Sequence, residues 1–285
     1  MGSELMYSLI MTVFNEAKNI ELFLESYKQQ SMYADEVIIV DGGSTDATCI
    51  IIEEFSNDNA LLNITLFVDP LMNKRYSNAP ISEGRNKAIS LSNYDIIVCA
   101  DAGCTLDYDW FERLTGPYRW NKLAKVTGGK YRGIVKTEFA RWYDNNFMPR
   151  ENDFNCDSFL PSSRNFSFKR EVWERIGGYK LGSFAGEDTR FVLDLKSVGH
   201  EIIMTDAFVS WECPEDIESA ATKHREYALG DGYHRQFYLK YCCSAIKLPV
   251  IGLTSIFVKS FDNKFIMSKA IFLGFVKGIS KRFER

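Results

Sequence analysis

Residues 7–46 read YSLIMTVFNEAKNIELFLESYKQQSMYADEVIIVDGGSTD, and the order of elements in this stretch decides the fold. Tyr7 to Phe14 is a short apolar run of strand length, closed by the polar pair Asn15-Glu16. From Ala17 to Gln30 the apolar residues Ile20, Phe23, Leu24 and Tyr27 recur at spacings of three and four, which predicts a helix. Glu36 to Val40 is a second strand, ending on Asp41-Gly42-Gly43. Ser44 or Thr45 then stands where a cap for the next helix, Asp46 to Phe55, is expected. The alternation continues with a strand at Leu62–Val68, a helix at Ile81–Leu91 and a wholly apolar strand at Ile96–Ala100. Strands that are apolar along their whole length, each followed by a helix, predict an α/β fold whose mainly parallel sheet is covered by helices on both faces. Ligands of such sheets sit outside the carboxyl ends of the strands. Phe14-Asn15-Glu16, Asp41-Gly42-Gly43-Ser44 and Asp101-Ala102-Gly103 all fall at strand ends and are expected to converge on one cleft.

The second half is less regular. Val126 to Val135 reads as a strand broken by Gly128-Gly129, and Arg150 to Ser163 as a polar loop. Lys169–Ile176 and Glu187–Val198 read as helices, with short strands at Ile202–Met204 and Phe208–Val209. Asp107 to Asp109 reads as the start of a helix carrying Trp110 and Phe111. Ile217 to Tyr241 reads as a helix interrupted near Gly230-Asp231-Gly232. Apolar segments at Leu248–Val258 and Phe265–Val276 are too short to span a bilayer but suit interfacial or hairpin helices.

The chain has 285 residues, of which 46% are hydrophobic and 25% charged, with a formal net charge of −4. That is ordinary globular composition, which excludes a collagen, a coiled-coil rod and a disordered tail, and argues against a nucleic-acid binder. Charge is uneven: from Lys240 to Arg285 nine Lys/Arg stand against Asp262 and Glu284. Two units are expected, an acidic body over 1–235 and a basic, apolar helical segment over 236–285. The segment is either a solvated helical face or a surface for an anionic membrane. The cysteine count is seven, an odd number, and no pair has CxxC spacing, so neither a disulfide framework nor a structural zinc site is expected. The N-terminus lacks the cationic segment of a signal peptide, so the expected compartment is the cytoplasm.

Several strand ends carry chemistry. Phe14 can stack on a base and Asn15 or Glu16 can hydrogen-bond it, although an Asn-initiated helix start explains the same residues. Asp41 can accept from ribose hydroxyls or a base N–H, and the glycines after it let backbone approach a ligand closely. The plain alternative is a tight turn. Arg85, in Gly84-Arg85-Asn86, has the fork geometry for phosphate, or is a surface arginine. Asp101 follows five uncharged residues, and a carboxylate there needs a partner; a divalent cation on phosphate oxygens is one, since Mg²⁺ commonly uses one or two carboxylates plus phosphates. Glu187-Asp188 either complements a helix N-terminus or supplies a general base. His224 lies on a polar helix face, with metal ligation the lesser reading. No GxxxxGK[ST] and no GxGxxG after the first strand appears, so the usual signals of ATP hydrolysis and dinucleotide redox chemistry are missing.

Six stretches in order, TVFNEAKNI (12–20), VDGGSTDAT (40–48), GRNKAI (84–89), ADAGC (100–104), SSRNFSFKREVWERIGGY (162–179) and GEDTRFVLDLKSVG (186–199), resemble a family 2 glycosyltransferase of the GT-A fold across about residues 5–230. The resemblance implies an inverting enzyme that moves a sugar from a nucleotide-diphosphate donor to a hydroxyl of a glycan or lipid-linked acceptor, in assembly of a cell-surface glycan or glycolipid. It implies that Thr12, Phe14 and Glu16 line the base pocket, Asp41 contacts base or ribose, and Arg85 meets base or diphosphate. Asp101 would face the diphosphate directly or through Mg²⁺ or Mn²⁺, with His224 as a further candidate ligand. Asn15, Gly43, Ser44, Asp46, Asn86, Ala100, Ala102 and Gly103 join the nucleotide-sugar site by motif. Arg164, Asn165 and Glu187 border donor sugar and acceptor, and Asp188 would deprotonate the acceptor hydroxyl. One departure stands out: where the family usually carries Asp-x-Asp, this chain has Asp101-Ala102-Gly103. That leaves a non-catalytic nucleotide-sugar-binding relative as the alternative. A sugar-phosphate nucleotidylyltransferase ranks lower, because Phe14-Asn15-Glu16-Ala17 lacks the Gly-rich basic loop a triphosphate needs.

Overall fold

The computed structural model describes residues 5–155, 158–182, 185–243 and 262–283. Its elements run β1 (Tyr7–Val13), α1 (Ile20–Lys28), β2 (Glu36–Asp41), α2 (Thr48–Asp58), β3 (Ile64–Val68), α3 (Pro80–Leu91), β4 (Ile96–Ala100), β5 (Cys104–Leu106), α4 (Trp110–Trp120), β6 (Val126–Ile134), α5 (Glu138–Phe147), β7 (Asn165–Lys169), α6 (Arg170–Ile176), α7 (Glu187–Ser197), β8 (Ile203–Glu212), α8 (Ile217–Tyr233) and α9 (Asp262–Phe283). The strands form one sheet in the order β3-β2-β1-β4-β7-β6-β8-β5. β1 pairs in parallel with β2 and β4, and β2 with β3, while β7 runs antiparallel between β4 and β6. The sheet is therefore parallel through the half that the strand–helix alternation predicts.

The apolar strands are buried from both sides. Leu9, Met11, Val37, Ile39 and Val98 pack on one face with Phe23 and Leu24 of α1 and Trp110 and Phe111 of α4. The alternate residues Ile10, Ile38, Val40, Ile97 and Cys99 pack on the other face with Ala88 and Ile89 of α3 and Phe191, Val192 and Leu195 of α7. Two cores on one sheet are why these strands alternate in neither hydropathy nor burial.

Several sequence expectations change. Ser44 and Thr45 do not cap α2; its N-cap is Ala47, and the Asp46 carboxylate takes the Thr48 N–H instead. β6 runs through Gly128-Gly129 as one strand, but its register against β8 shifts between Gly128 and Lys130, so the glycines mark an irregularity and not an end; a Cβ on Gly129 would overlap the Asn165 side chain. The two short strands expected at 202–209 are one ten-residue strand, β8. The interruption expected near Gly230-Asp231-Gly232 falls just beyond them: α8 runs through the three residues and ends at Tyr233, and helix resumes at residues 238–243. Glycine costs about 1 kcal/mol relative to alanine inside a helix, and here close packing explains it. A Cβ on Gly230 would overlap the Ala185 carbonyl, and one on Gly232 the backbone of Phe275 in α9. Gly274 and Gly278 of α9 meet the carbonyls of Arg225 and Leu229 in the same way, so α8 and α9 cross at backbone contact. The Phe265–Val276 segment lies inside α9, whereas Leu248–Val258 lies outside the described residues. Among the described residues no helix is long and apolar enough to cross a membrane.

Candidate active site

The carboxyl ends of β1 and β4, the start of α7, the middle of α3 and one side of α8 enclose a cleft of about 1040 Å³. Thr12, Phe14 and Glu16 reach it from the end of β1, Asp101-Ala102-Gly103 from the end of β4, and Glu187-Asp188 from the first turn of α7. Phe14 is largely exposed, as a stacking platform must be. Burial raises the Glu16 carboxyl above its ordinary pKa, with Asn19 donating to it at 2.8 Å.

Arg85 organises the acidic side. Its guanidinium is buried, 2.6 Å from Glu187 Oε1 and 2.9 Å from Asp101 Oδ1, and lies over the Tyr179 ring. Burial works against its charge, but Asp101 and Glu187 together hold its pKa well above the ordinary value. Burial and the neighbouring Asp188 charge push the Glu187 carboxyl up, with Arg85 acting in the opposite direction. Asp188 stays half-exposed, its Oδ1 accepting the Thr189 N–H at 2.7 Å. The turn before α7 is fixed by Gly186 at φ 80°, packed on Gly230 of α8, which sets where Glu187 and Asp188 project.

Other motif residues hold the frame and do not line the cleft. Asp41 is fully buried; its Oδ1 accepts from the Gly43 and Ser44 N–H groups at 2.7 Å, and its Oδ2 from the Ser44 hydroxyl. Asn15, at φ 55°, accepts the Thr45 N–H and donates its own N–H to Ser44 Oγ. Asp46 accepts from Thr48 and Ala17. These bonds tie the β1 and β2 loops together. Asn86 clamps Tyr179 through both backbone groups and takes the Trp173 indole N–H. Ala100 is buried at the end of β4. Asn165 is buried and saturated, accepting from Trp110 and donating to the Lys130 and Ala207 carbonyls, so it stitches the sheet.

The same cleft is bordered by a group that sequence reasoning did not single out as a whole. Arg164 lies over the rings of Tyr131 and Trp211 at 5.3 and 5.1 Å, and its Nε has no hydrogen-bond partner. Lys223 of α8 sits 4.0 Å from the Trp211 ring centre. Burial, followed by the Arg164 charge, pulls the Lys223 pKa down to about 8. His224, its neighbour, also borders the cleft, but its Nε2 is bonded to the Tyr143 hydroxyl at 2.8 Å and its ring packs on Phe147. Burial lowers its pKa to about 4. Asp231 borders the far end, hydrogen-bonded by the Tyr241 hydroxyl and raised to about 6 by burial. Lys223, Trp211 and Asp231 carry no local motif; only the sheet and α8 bring them together. Among the described residues no group of three His, Cys, Asp or Glu side chains is disposed to hold a metal by itself. Asp101 fits a cation shared with a ligand: its side chain is 36% exposed toward the cleft and only its Oδ1 is engaged by Arg85.

The family model described as glycosyl transferase family 2 matches residues 8–184. The chain belongs to glycosyl transferase family 2. It is similar to the probable glycosyltransferase YdaM of Bacillus subtilis (strain 168), 26% identical over 254 residues that cover 84% of this chain and 58% of YdaM. It is also similar to the poly-beta-1,6-N-acetyl-D-glucosamine synthase of Staphylococcus epidermidis, 30% identical over 122 residues, covering 42% of this chain and 27% of that enzyme. The chain thus spans less than two thirds of the length of these relatives. Among solved structures, the mannosyltransferase PcManGT from Pyrobaculum calidifontis in complex with GDP-Man and Mn²⁺ superimposes with a TM-score of 0.68 at 16% identity, over 96% of this chain and 86% of that one. S. aureus TarS 1-349 in complex with UDP-GlcNAc gives 0.58 at 14% identity, over 98% and 89%. At these identities the likeness is one of fold, and that fold is GT-A. The family member is a glycosyltransferase, as the resemblance in its motifs implies.

Proposed function

We propose that this glycosyltransferase moves a sugar, with inversion, from a nucleotide-diphosphate donor to a hydroxyl acceptor in building a cell-surface glycan. The observation that carries the reading is the convergence of Asp101, the Arg85–Glu187 pair and Asp188 on the cleft at the strand ends. Phe14 and Thr12 offer the base a stacking face and a polar edge, with Glu16 beside them. Asp188, half-exposed at the start of α7, takes the proton of the acceptor hydroxyl. The freed oxygen attacks the anomeric carbon, whose bond to the diphosphate oxygen breaks, and the electron pair leaves with the diphosphate. Glu187 is held by Arg85 and keeps the first turn of α7 in place. Asp101 would hold Mg²⁺ or Mn²⁺ on the diphosphate, where a divalent cation supplies charge neutralisation of the leaving group. PcManGT in complex with GDP-Man and Mn²⁺, and TarS with UDP-GlcNAc, support a nucleotide-sugar donor, and the poly-N-acetylglucosamine synthase supports a surface-glycan product.

The test is a panel of UDP-, GDP-, CDP- and dTDP-sugars with simple glycoside acceptors, read by NMR of the product anomer. A product of opposite anomeric configuration to its donor, absent with Asp188→Asn, is expected; retention of configuration sinks the inverting mechanism. The exposed side of α9 carries Lys269 and Lys277 beside Ile266, Leu273 and Val276, which supports contact with an anionic membrane bearing the acceptor. Flotation with anionic vesicles that persists unchanged in Lys269→Glu/Lys277→Glu counts against that contact.

A further inference from the structure

Arg85 is bracketed by Asp101 and Glu187, whereas Arg164 and Lys223 face this cleft with no carboxylate at ion-pair distance among the described residues. Both are drawn out of bulk water and stand close enough to repel: the Arg164 charge is the second cause, after burial, of the lowered Lys223 pKa. Both are held there by packing, and Arg164 also by the Tyr227 hydroxyl, a neutral partner that does not offset its charge. Arg164 lies over Tyr131 and Trp211, and Lys223 over Trp211 from the other chain segment. The Nε of Arg164 is buried with no acceptor. A buried, unpaired cation is unfavourable in the free protein, and two side by side are more so. The natural relief is a ligand carrying more than one negative charge.

The position of the pair names the ligand. Asp101 acts on the charge of Arg164, and Glu16 lies within electrostatic reach of both Asp101 and Lys223. The two cations therefore border the same cleft as the β4 end, within electrostatic reach of it, where position 103 is glycine and offers no second carboxylate. His224 borders the cleft but has its Nε2 engaged by the Tyr143 hydroxyl, so on this turn of α8 it is Lys223 that offers the cleft a cationic donor. We infer that Arg164 and Lys223 form a two-cation site for the diphosphate of the donor, supplying from the protein part of the positive charge that a second carboxylate would otherwise recruit as metal. This rests on the donor being a nucleoside diphosphate sugar. The site accepts the diphosphate through the guanidinium fork of Arg164 and the ammonium of Lys223, and it strengthens as the glycosidic C–O bond breaks and charge collects on the leaving oxygen.

The test is calorimetric titration of the whole chain with UDP, GDP, UMP, GMP and inorganic pyrophosphate, each in EDTA and in Mn²⁺. Wild type is expected to bind one nucleoside diphosphate in EDTA more tightly than its monophosphate. Lys223→Gln and Arg164→Gln are each expected to weaken the diphosphate about 10- to 100-fold in EDTA, with monophosphate affinity changed little, and Lys223→Arg to restore most of the loss. Circular dichroism confirms that each variant is folded, and Lys223→Arg gives a folded control. Diphosphate affinity in EDTA equal to wild type in both folded glutamine variants overturns the inference and leaves the donor reading standing. Failure of wild type to bind any nucleotide, with or without Mn²⁺, overturns that reading and the inference with it. Pyrophosphate that depends on Lys223 but is not displaced by the nucleoside diphosphate assigns the pair to a diphosphate-linked acceptor and overturns its assignment to the donor.

Discussion

Replacing Lys223 by methionine is expected to stabilise the free protein at neutral pH. The ammonium sits 4.0 Å from the Trp211 ring centre, and burial followed by the Arg164 charge moves its pKa from 10.5 to about 8. At about 1.4 kcal/mol per unit such a shift corresponds to roughly 3 kcal/mol. Its remaining contact with solvent reduces the usable figure to about 2 kcal/mol. Because the folded pKa is depressed, the folded chain binds fewer protons than the unfolded chain between about pH 8 and 10.5. The contribution of this group to stability therefore rises with pH across that window, and is lost as pH falls through about 8. Methionine keeps the unbranched stem over Trp211 and removes the charge. Urea unfolding at pH 7, 8, 9 and 10 measures both proteins. Lys223→Met is expected to be more stable by about 1–2 kcal/mol at pH 7, with the gap closing toward pH 10.5. A wild type equal to or more stable than the variant at pH 7, or a gap that stays constant with pH, refutes the reasoning.

Other outcomes follow from single positions. Asp188→Asn is expected to reduce donor turnover about 10²- to 10⁴-fold with little change in Tm, measured by release of nucleoside diphosphate; full activity removes Asp188 as the base. A Cβ at Gly103 meets nothing within 4 Å. Gly103→Asp is therefore expected to stay within about 0.5 kcal/mol of wild type in stability and to enlarge the Tm gain from Mn²⁺ plus nucleotide; an unfolded variant or an unchanged gain contradicts this. At Gly278 a Cβ would overlap the Leu229 carbonyl, so Gly278→Val is expected to push α8 and α9 apart and cost about 1–3 kcal/mol in a thermal melt. An unchanged Tm would show that the helices do not rely on this contact.

The parallel half of the sheet is legible in the sequence because two-sided burial leaves Ile96–Ala100 and Glu36–Val40 without a single surface position to obscure the run. The antiparallel half is not. Residues 165–169 read Asn-Phe-Ser-Phe-Lys, and this strand, β7, owes its place to neighbours far off in the chain, Ala100 and Ile96 on one side and Gly128 on the other. α5 is hidden because Asp144, Asn145 and Asn146 dilute its apolar face, although Thr137 caps it through the Ala140 N–H. Glycine carried two meanings at once: Gly129 stands at a register shift of β6, and Gly230–Gly232 just before α8 ends at Tyr233, while at both places the absence of a side chain also serves close packing. In the site, Asp101, Glu187 and Asp188 were readable because each follows a strand or opens a helix, and Arg85, inside α3, because it stands in Gly84-Arg85-Asn86. Asp41 shows the limit of that logic: a carboxylate at a strand end also satisfies the turn that follows, as its bonds to Gly43 and Ser44 do here. Lys223 and Trp211 had no local signal, since one lies inside a helix and the other near the end of a strand without a motif, and only tertiary packing makes them neighbours.

The measurement that bears most directly on the donor is thermal stabilisation of the purified chain by UDP, GDP, CDP and dTDP, each with Mn²⁺ and with EDTA. A nucleotide at about a hundred times its dissociation constant adds roughly 2.7 kcal/mol, a plainly visible rise in Tm. One nucleoside diphosphate is expected to raise the Tm strongly, retaining much of the effect in EDTA because Arg164 and Lys223 remain. No rise with any of the four, in either condition, would contradict a nucleotide-diphosphate donor in this cleft.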